Sequence, residues 1–205
     1  ALTTRLAAHA AVARDGRWAA SDLFCVLDFP FRELAGKVLG IVGWGELGQG
    51  VARIAETFGM DVLVAQRPGG APAAGRVRLG ELLARADVVS LHVPLADNTR
   101  GLIGARELAL MKPDAVLINT ARGEIVDEAA LMAALRAGRL GGAGVDVLAI
   151  EPPRSGSPLL DDPPPNLIVT PHVAWASREA RQRLLDEVAL NIVAFGKGRE
   201  RNRVA

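Results

Sequence analysis

Short apolar runs alternate along the chain with segments whose apolar positions have helical spacing. The runs are continuous, several are rich in Val or Ile, and they cover residues 38–42, 62–65, 88–91, 115–118, 143–147 and 167–169. The helical segments cover residues 46–58, 79–85, 105–111, 128–137 and 177 to about 195. Continuous apolar strands that alternate with helices are typical of a parallel sheet covered on both faces. The pattern therefore predicts an α/β fold with a doubly wound parallel six-stranded sheet.

Two irregular stretches and one well-marked helix complete this prediction. Asp127 is placed to cap the helix over residues 128–137, and Gly138 follows as its left-handed terminator. The alternation is interrupted by residues 14–34 and by the proline-rich residues 150–165, which predict a rigid loop. In a doubly wound sheet, ligands bind beyond the carboxyl ends of the strands. We therefore look for functional residues directly after the strands.

The composition narrows the possible partners. The chain has 205 residues, 50% of them hydrophobic, and a formal charge of +1, so no long-range field would draw it to nucleic acid or anionic lipid. A single cysteine, Cys25, predicts neither an internal disulfide nor a metal site. No apolar run approaches the length of a membrane span, and the N-terminal residues of the given sequence lack the basic, apolar and small-residue sections typical of a signal peptide. We expect a cytoplasmic protein that binds neither nucleic acid nor a membrane.

A glycine-rich turn directly follows the first predicted strand. Gly43, Gly45 and Gly48 form a GxGxxG motif, and the helix after the strand begins at Glu46 and Leu47. The first glycine permits the tight turn, the second lets a pyrophosphate approach the backbone, and the third allows the helix to pack on the strand. Free N–H groups at the helix start favour phosphate. The motif is weak alone, but its place between strand and helix predicts a dinucleotide site.

The end of the second predicted strand bears on the choice of cofactor. A carboxylate is expected there to accept hydrogen bonds from the adenosine ribose, but the chain has Gln66 and Arg67. Asp61 starts the same strand and would lie at the opposite end from the nucleotide. Since an arginine can pair with a 2′-phosphate, we expect NADP(H) to bind at least as well as NAD(H). The alternative is that Arg67 is merely solvated and NAD binds through other contacts.

Further motifs follow the later strands in a fixed order. They are His92-Val93-Pro94-Leu95, Asn119-Thr120-Ala121-Arg122-Gly123, Gly144-Val145-Asp146-Val147, Glu151-Pro152 and Thr170-Pro171-His172. With the glycine turn, this series resembles the D-isomer-specific 2-hydroxyacid dehydrogenase family over nearly the whole chain. The residues after Ala65 and from position 172 to 177 are most similar to bacterial members that act on glycerate and hydroxypyruvate. The resemblance implies a Rossmann fold that binds NAD(P).

The resemblance also implies three catalytic residues, each just beyond a predicted strand. Arg122 would hold the substrate carboxylate in a bidentate pair beside the nicotinamide. His172 would protonate the substrate carbonyl oxygen as hydride arrives, or remove the hydroxyl proton in the reverse reaction. Glu151 would pair with His172, fix its orientation and favour its charged form. Taken singly, each of these residues is more simply explained by packing or solvation.

Further residues are implied to contact the cofactor. His92 is expected to line the cleft beside Pro94 rather than transfer protons, and Asp146 to contact the nicotinamide carboxamide or ribose. The full expected cofactor set is Gly43, Gly45, Glu46, Leu47, Gly48, Gln66, Arg67, His92, Val93, Pro94, Thr99, Thr120, Ala121, Arg122, Asp146, His172 and Ala174.

The same resemblance predicts how the chain is divided. Residues 1–35 would form an inter-domain helix and a dimerisation arm, residues 36–174 the NAD(P)-binding Rossmann domain, and residues 175–205 a C-terminal helix and tail that return toward a substrate domain. Because the chain begins at Ala1 without Met, inside a helical segment, we expect most of that substrate domain to be missing. We expect a homodimer because of the dimerisation arm, and little turnover by the 205-residue chain alone because the substrate domain would be incomplete.

Two functions compete at this point. In the first, NAD(P)H delivers hydride to a small 2-oxoacid, with hydroxypyruvate, glyoxylate and glycerate as the expected substrates and products. In the second, the chain is a non-catalytic module that senses NAD(H), as corepressor-like members of the superfamily do. The combination of Arg122, Glu151 and His172 favours the enzyme.

Overall fold

A computed structural model describes residues 1–203 and divides the chain into two compact units, Ala1–Thr170 and the residues from Pro171 onward. The first unit contains a seven-stranded sheet in the order β3-β2-β1-β4-β5-β6-β7, and every pair of neighbours is parallel. The strands are β1 (Val38–Val42), β2 (Asp61–Ala65), β3 (Arg76–Val77), β4 (Val88–Leu91), β5 (Val116–Asn119), β6 (Gly142–Val145) and β7 (Leu167–Val169). The helices are α1 (Leu6–Val12), α2 (Glu46–Thr57), α3 (Leu79–Arg85), α4 (Ala105–Leu110), α5 (Glu128–Arg136) and α6 (Arg178–Gly196), with a short 3₁₀ turn over Gly123–Ile125.

The doubly wound parallel sheet is confirmed, but it has seven strands rather than the predicted six. The additional strand is β3, which pairs with β2 at the sheet edge through Val64 with Arg76 and Ala65 with Val77. Two residues, one of them charged, are too short to show a strand period in the sequence. β3 is therefore a strand because it pairs with the edge of β2, and not because of its own sequence pattern.

The main core lies between the sheet and the helices α3, α4 and α5. Leu82 and Leu83 of α3, Leu117 of β5 and Leu131 of α5 have no exposed surface. The expected cap is present, since the Asp127 carboxylate accepts a hydrogen bond of 3.0 Å from the Ala130 N–H. Caps of this kind satisfy the free N–H groups of the first turn. The strand and helix ends that the pattern predicted agree with the structure to within two residues.

Asp87 joins three strands at the amino-terminal edge of the sheet. Its carboxylate accepts hydrogen bonds from the Val38 N–H at 2.8 Å and from the Lys112 ammonium at 2.9 Å. Its own N–H donates to the Val38 carbonyl, and its carbonyl accepts from the Val116 N–H. Burial opposes ionisation, but the Val38 hydrogen bond and the Lys112 charge outweigh it and hold the pKa of Asp87 below its usual range.

The second unit consists mainly of α6. Ser177 caps this helix by accepting a hydrogen bond of 3.1 Å from the Ala180 N–H. After the helix ends, the Arg201 guanidinium donates to Glu187 at 2.5 Å and to Asn191 at 2.8 Å, which folds the tail back onto α6. In the part of the chain that the structure describes, no helix combines the length and the apolar character needed to cross a membrane.

Candidate functional site

The glycine turn connects β1 to α2 and is shaped by close backbone contacts. Gly43 has a φ of 106°, and a side chain there would place its Cβ 2.5 Å from the backbone carbonyl of His92. A Cβ on Gly48 would lie 2.1 Å from the Gly43 carbonyl oxygen. Gly45, by contrast, caps α2 and has open space where its side chain would be. The first and third glycines therefore allow the turn to form, while the second leaves room for a ligand.

A cavity of about 360 Å³ opens beside this turn in the first unit. It brings together residues from the ends of β1, β2 and β4, which are distant in sequence. The lining residues are Gly43, Trp44, Gly45, Ala65, Arg67, Pro68, Arg76, His92, Val93, Pro94, Ala96, Asn98 and Thr99. Seven of the expected cofactor residues are among them.

The cavity is basic at its β2 end. Arg67 and Arg76 both line it, and none of the described lining residues is acidic. Gln66 borders an adjoining cavity of about 320 Å³, which Arg67 and Arg78 also line. Asp61 pairs with Val38 at the start of the strands and so lies at the opposite end, as expected. Guanidinium groups therefore line this end of the cavity, and no carboxylate is among its described lining residues.

Sequence reasoning did not predict three charged or amide side chains around this cavity and the adjoining one. Arg76 and Arg78 lie on either side of Val77, and the pairing of β3 with β2 brings Arg76 to this cavity and Arg78 to the adjoining one. The Asn98 amide donates to the Pro68 carbonyl at 2.9 Å and so ties two loops of the cavity together. The arginines on either side of Val77 are visible in the sequence. They indicate a position beside the cavities only if β3 is recognised as a strand.

His92 and Thr99 form part of the cavity wall but are partly engaged within the protein. The His92 Nε2 is 2.9 Å from the Ser90 hydroxyl, and burial lowers the pKa of His92. Thr99 is buried, and its hydroxyl donates to the Pro94 carbonyl at 2.7 Å while it accepts from the Ala96 N–H at 2.8 Å. The Thr99 hydroxyl therefore shapes the loop that lines the cavity.

Other expected cofactor residues lie outside that cavity. Glu46 and Leu47 form the first turn of α2 and are exposed, and Gly48 is buried beneath them. Thr120 borders a separate apolar groove of about 510 Å³ that also reaches His92. The structure therefore places these side chains around the cavity but does not place them in its wall.

Arg122 stands on a turn that a buried amide organises. Asn119, which is 1% exposed, donates to the Arg122 carbonyl at 2.9 Å and accepts from the Ala121 N–H at 3.1 Å. The guanidinium of Arg122 is exposed and donates to the Ala121 carbonyl at 2.6 Å. Because both ends of the Asn119 amide are satisfied, the turn after β5 has one preferred shape.

Glu151 and Asp146 follow β6 in the same unit. The Glu151 carboxylate accepts a hydrogen bond of 2.8 Å from the Leu148 N–H. Asp146 is buried and accepts a hydrogen bond of 2.5 Å from the Thr170 hydroxyl, which joins the ends of β6 and β7. Both carboxylates therefore lie at the carboxyl edge of the sheet, together with Arg122.

His172 and Ala174 belong to the second unit. His172 is half-buried and has a φ of 54°, a left-handed conformation in which histidine is enriched among residues other than glycine. Its carbonyl accepts a hydrogen bond of 2.9 Å from the Trp175 indole. Among the residues described, no group of three or more His, Cys, Asp or Glu side chains is arranged to hold a metal ion.

This arrangement fits a dinucleotide. The open space at Gly45 and the N-terminus of α2 suit a pyrophosphate, and the cavity beside them has the dimensions of a small-molecule pocket. Arg122 and Glu151, which could take part in chemistry, follow β5 and β6. These strands lie on the other side of β1 from Arg67 and Arg76. A ligand that spans both regions must therefore extend across the carboxyl edge of several strands.

Comparison with known proteins agrees with a site for a dinucleotide. The family model described as D-isomer specific 2-hydroxyacid dehydrogenase, NAD binding domain, matches residues 1–174. The chain is 49% identical over 204 residues to a glycerate dehydrogenase from Methylorubrum extorquens, and this match covers 100% of the chain and 64% of that protein. It is 37% identical to a hydroxypyruvate reductase from Blautia hydrogenotrophica, over 93% of the chain and 60% of that protein.

A solved structure is similarly close. The crystal structure of the TT0316 protein from Thermus thermophilus matches with a TM-score of 0.85 and 41% identity. This match covers 98% of the chain and 63% of that structure. The chain thus spans less than two thirds of the length of these relatives.

Proposed function

Because the chain belongs to the D-isomer specific 2-hydroxyacid dehydrogenase family and matches its NAD-binding domain, we propose that it is the cofactor-binding part of an oxidoreductase. The enzyme would transfer a hydride between NAD(P)H and a small 2-oxoacid, with hydroxypyruvate, glyoxylate and glycerate as the expected compounds. One observation carries the proposal. The glycine turn, its cavity, and the Arg122 and Glu151 loops share the carboxyl edge of one sheet.

The residues would divide the reaction between them. The nicotinamide, when bound, would supply or accept the hydride. Arg122 is exposed at the end of β5 and holds the substrate carboxylate through its planar guanidinium. In the proposed reaction His172 would give a proton to the carbonyl oxygen during reduction and take it back during oxidation, and Glu151 would pair with His172 to orient it. The positions of Arg122 and Glu151 beyond neighbouring strands support these roles.

The basic end of the cavity supports binding of NADP(H) as well as NAD(H). Arg67 and Arg76 lie where the adenosine ribose is expected, beside the end of β2. Two guanidinium groups would form charge-assisted hydrogen bonds with a 2′-phosphate, and no carboxylate among the lining residues opposes it. This favours NADP(H) over the alternative in which Arg67 is only solvated.

Three further expectations extend the proposal. We expect the chain alone to bind cofactor but to convert little substrate. A complete active-site cleft, with a substrate domain as its second wall, is needed to exclude water and position a 2-oxoacid. We also expect a homodimer formed through the arm within residues 1–35, where Phe24 is 91% and Leu27 75% exposed. The expected location of the enzyme is the cytoplasm.

A second candidate function is a non-catalytic module that senses NAD(H). It is favoured by one observation, namely that all residues lining the cavity beside the glycine turn belong to the first unit. Binding of the nucleotide part that enters this cavity would therefore not depend on His172 or on a substrate domain. The two functions differ in whether the bound cofactor is oxidised or reduced by a substrate.

The deciding experiment is an assay of the full-length protein. We expect oxidation of NADPH with hydroxypyruvate or glyoxylate, and His172→Asn should lower kcat on the order of a hundredfold or more, since it removes the general acid. Cofactor affinity, measured by fluorescence titration, should be retained in this variant. Tight cofactor binding without turnover of any small 2-oxoacid would favour the sensor instead.

A further inference from the structure

Glu128 has a carboxylate that the proposed reaction does not use. It is the first residue of α5, directly after the capping residue Asp127. Instead of binding the helix N-terminus, its carboxylate reaches the loop that follows β6. One oxygen accepts from the Ala149 N–H at 2.7 Å, and the other accepts from the Ser157 hydroxyl at 2.9 Å.

These two hydrogen bonds close the loop that carries Glu151. Ala149 and Ser157 lie on either side of Glu151 in the chain. Ser157 is 7% exposed, and its hydroxyl also accepts from the N–H of Leu159, a core residue that is 1% exposed. Glu128 therefore connects the exposed start of the loop at Ala149 to an anchor in the core.

The same loop rests directly on the turn that carries Arg122. A Cβ on Gly123 would lie 2.0 Å from the carbonyl carbon of Leu148 and 2.3 Å from the Ala149 nitrogen. Such distances mean that the two backbones touch where Gly123 lies. A displacement of Ala149 would therefore disturb the Glu151 loop and its contact with the Arg122 turn together.

We propose that Glu128 is a positioning residue that holds the Glu151 loop against the Arg122 turn, so that these two side chains keep one relative geometry. The inference rests on the proposed function for the roles of Arg122 and Glu151. Hydrogen bonding, and not charge, does the positioning. A glutamine could accept from the Ala149 N–H with its oxygen and donate to the Ser157 hydroxyl with its nitrogen.

The test compares Glu128→Ala with Glu128→Gln in the full-length protein. Glu128→Ala should lower kcat on the order of tenfold to a hundredfold, because a small displacement of reacting groups has an effect of that size. The KM for the cofactor should stay within about twofold, since the nucleotide cavity does not include this loop. Glu128→Gln should lower kcat less than Glu128→Ala does, because it keeps the hydrogen bond from the Ala149 N–H and replaces the Ser157 bond with one of reversed direction, in which the Ser157 hydroxyl proton loses its acceptor.

Glu81→Ala is the matched control, because Glu81 forms an exposed pair with Arg85 on α3, away from the loop. It should leave kcat and KM unchanged. An unchanged kcat in Glu128→Ala would overturn the proposal, and so would a Glu128→Gln variant as impaired as Glu128→Ala. If Glu128 had only a structural role, Glu128→Ala would be less stable, but its kcat would not fall while its KM for the cofactor stayed unchanged.

Hydrogen exchange at the Ala149 amide separates this proposal from the proposed function. Glu128→Ala should raise the exchange rate of this amide by about tenfold or more, while Glu128→Gln should protect it as the wild type does. If the wild type showed no turnover, the proposed function would fail, and the role of Glu128 in holding the loop would be decided by exchange. Unchanged exchange at Ala149 in Glu128→Ala would refute it.

Discussion

The strands of the parallel sheet all begin at one side, the amino edge, and all end at the other, the carboxyl edge, and these two sides are built in opposite ways. At the amino edge, Asp87 is surrounded by partners, with Val38 and Lys112 on its carboxylate and the backbones of three strands joined around it. At the carboxyl edge, a glycine turn leaves open space and the side chains of Arg67 and Arg122 are exposed. At the amino edge the Asp87 carboxylate is satisfied within the protein, while the carboxyl edge keeps the Arg67 and Arg122 side chains exposed to a ligand. Changes at the two edges should therefore have separable effects on stability and on binding.

The largest effect is expected from Gly48→Ala at the carboxyl edge. The new Cβ would lie 2.1 Å from the Gly43 carbonyl oxygen, and relief of that clash should cost about 2–3 kcal/mol of stability. Because the turn must move, cofactor affinity should also fall by about tenfold or more. Thermal unfolding and a fluorescence titration with NADPH measure the two effects.

Gly50→Ala is the control for that change, because Gly50 lies in the same helix and its nearest contact would be the Arg53 side chain at 3.8 Å. It should stabilise α2 by about 0.5–1 kcal/mol, as alanine is the better helix former. Equal losses in the Gly48 and Gly50 variants would show that the close contact with Gly43 does not govern the turn.

A smaller effect, confined to binding, is expected from Arg67→Ser. Loss of one guanidinium near the expected 2′-phosphate should weaken NADPH binding by about tenfold, or about 1.4 kcal/mol, and leave NADH binding nearly unchanged. Parallel titrations with both cofactors check this. A wild-type protein that strongly prefers NADH, or a variant that loses both cofactors equally, would exclude a role in phosphate recognition.

The smallest effect, confined to stability, is expected from Asp87→Asn. The amide oxygen can still accept from the Val38 N–H, but the ion pair with Lys112 is lost, at a cost of about 1 kcal/mol. Cofactor affinity should be unchanged. Chemical unfolding at neutral pH measures the first quantity, and a change in affinity would contradict the separation of the two edges.

The same variant should alter the pH dependence of stability. Because the folded-state pKa of Asp87 is lowered, its contribution is fully present above the unfolded pKa of about 3.9 and is lost as the pH falls through the folded value. Unfolding free energies measured from neutral pH down to acid should therefore converge for the wild type and Asp87→Asn. A constant difference at every pH would show that the Asp87 charge is not responsible.

Much of the fold could be predicted because local pattern and global structure agree. The apolar runs at β1 and β4 and the capped helix α5 are visible in a short window of sequence. β3 could not be predicted, since its two residues become a strand only by pairing with the edge of β2. Arg76 stayed unrecognised as a cavity residue for the same reason.

The candidate site divides along the same line. The glycine turn and the order of motifs pointed to the carboxyl edge, where Arg122 and Glu151 indeed follow neighbouring strands. The supporting contacts were not predictable from spacing. The Asn119 amide, the Glu128 carboxylate and the buried Thr99 hydroxyl each bind backbone groups whose positions depend on the folding of other segments.

The sequence by itself determined the alternation of strands and helices, the glycine turn between the first strand and its helix, and the edge at which polar residues gather. These features follow from hydrophobic period, backbone sterics and strand direction, all of which act over a few neighbouring residues. Only the tertiary structure decided that a two-residue strand brings Arg76 to the cavity and that Glu128 reaches the loop of Glu151. Those contacts join segments far apart in the chain, and their geometry exists only once the sheet has set the distances between them.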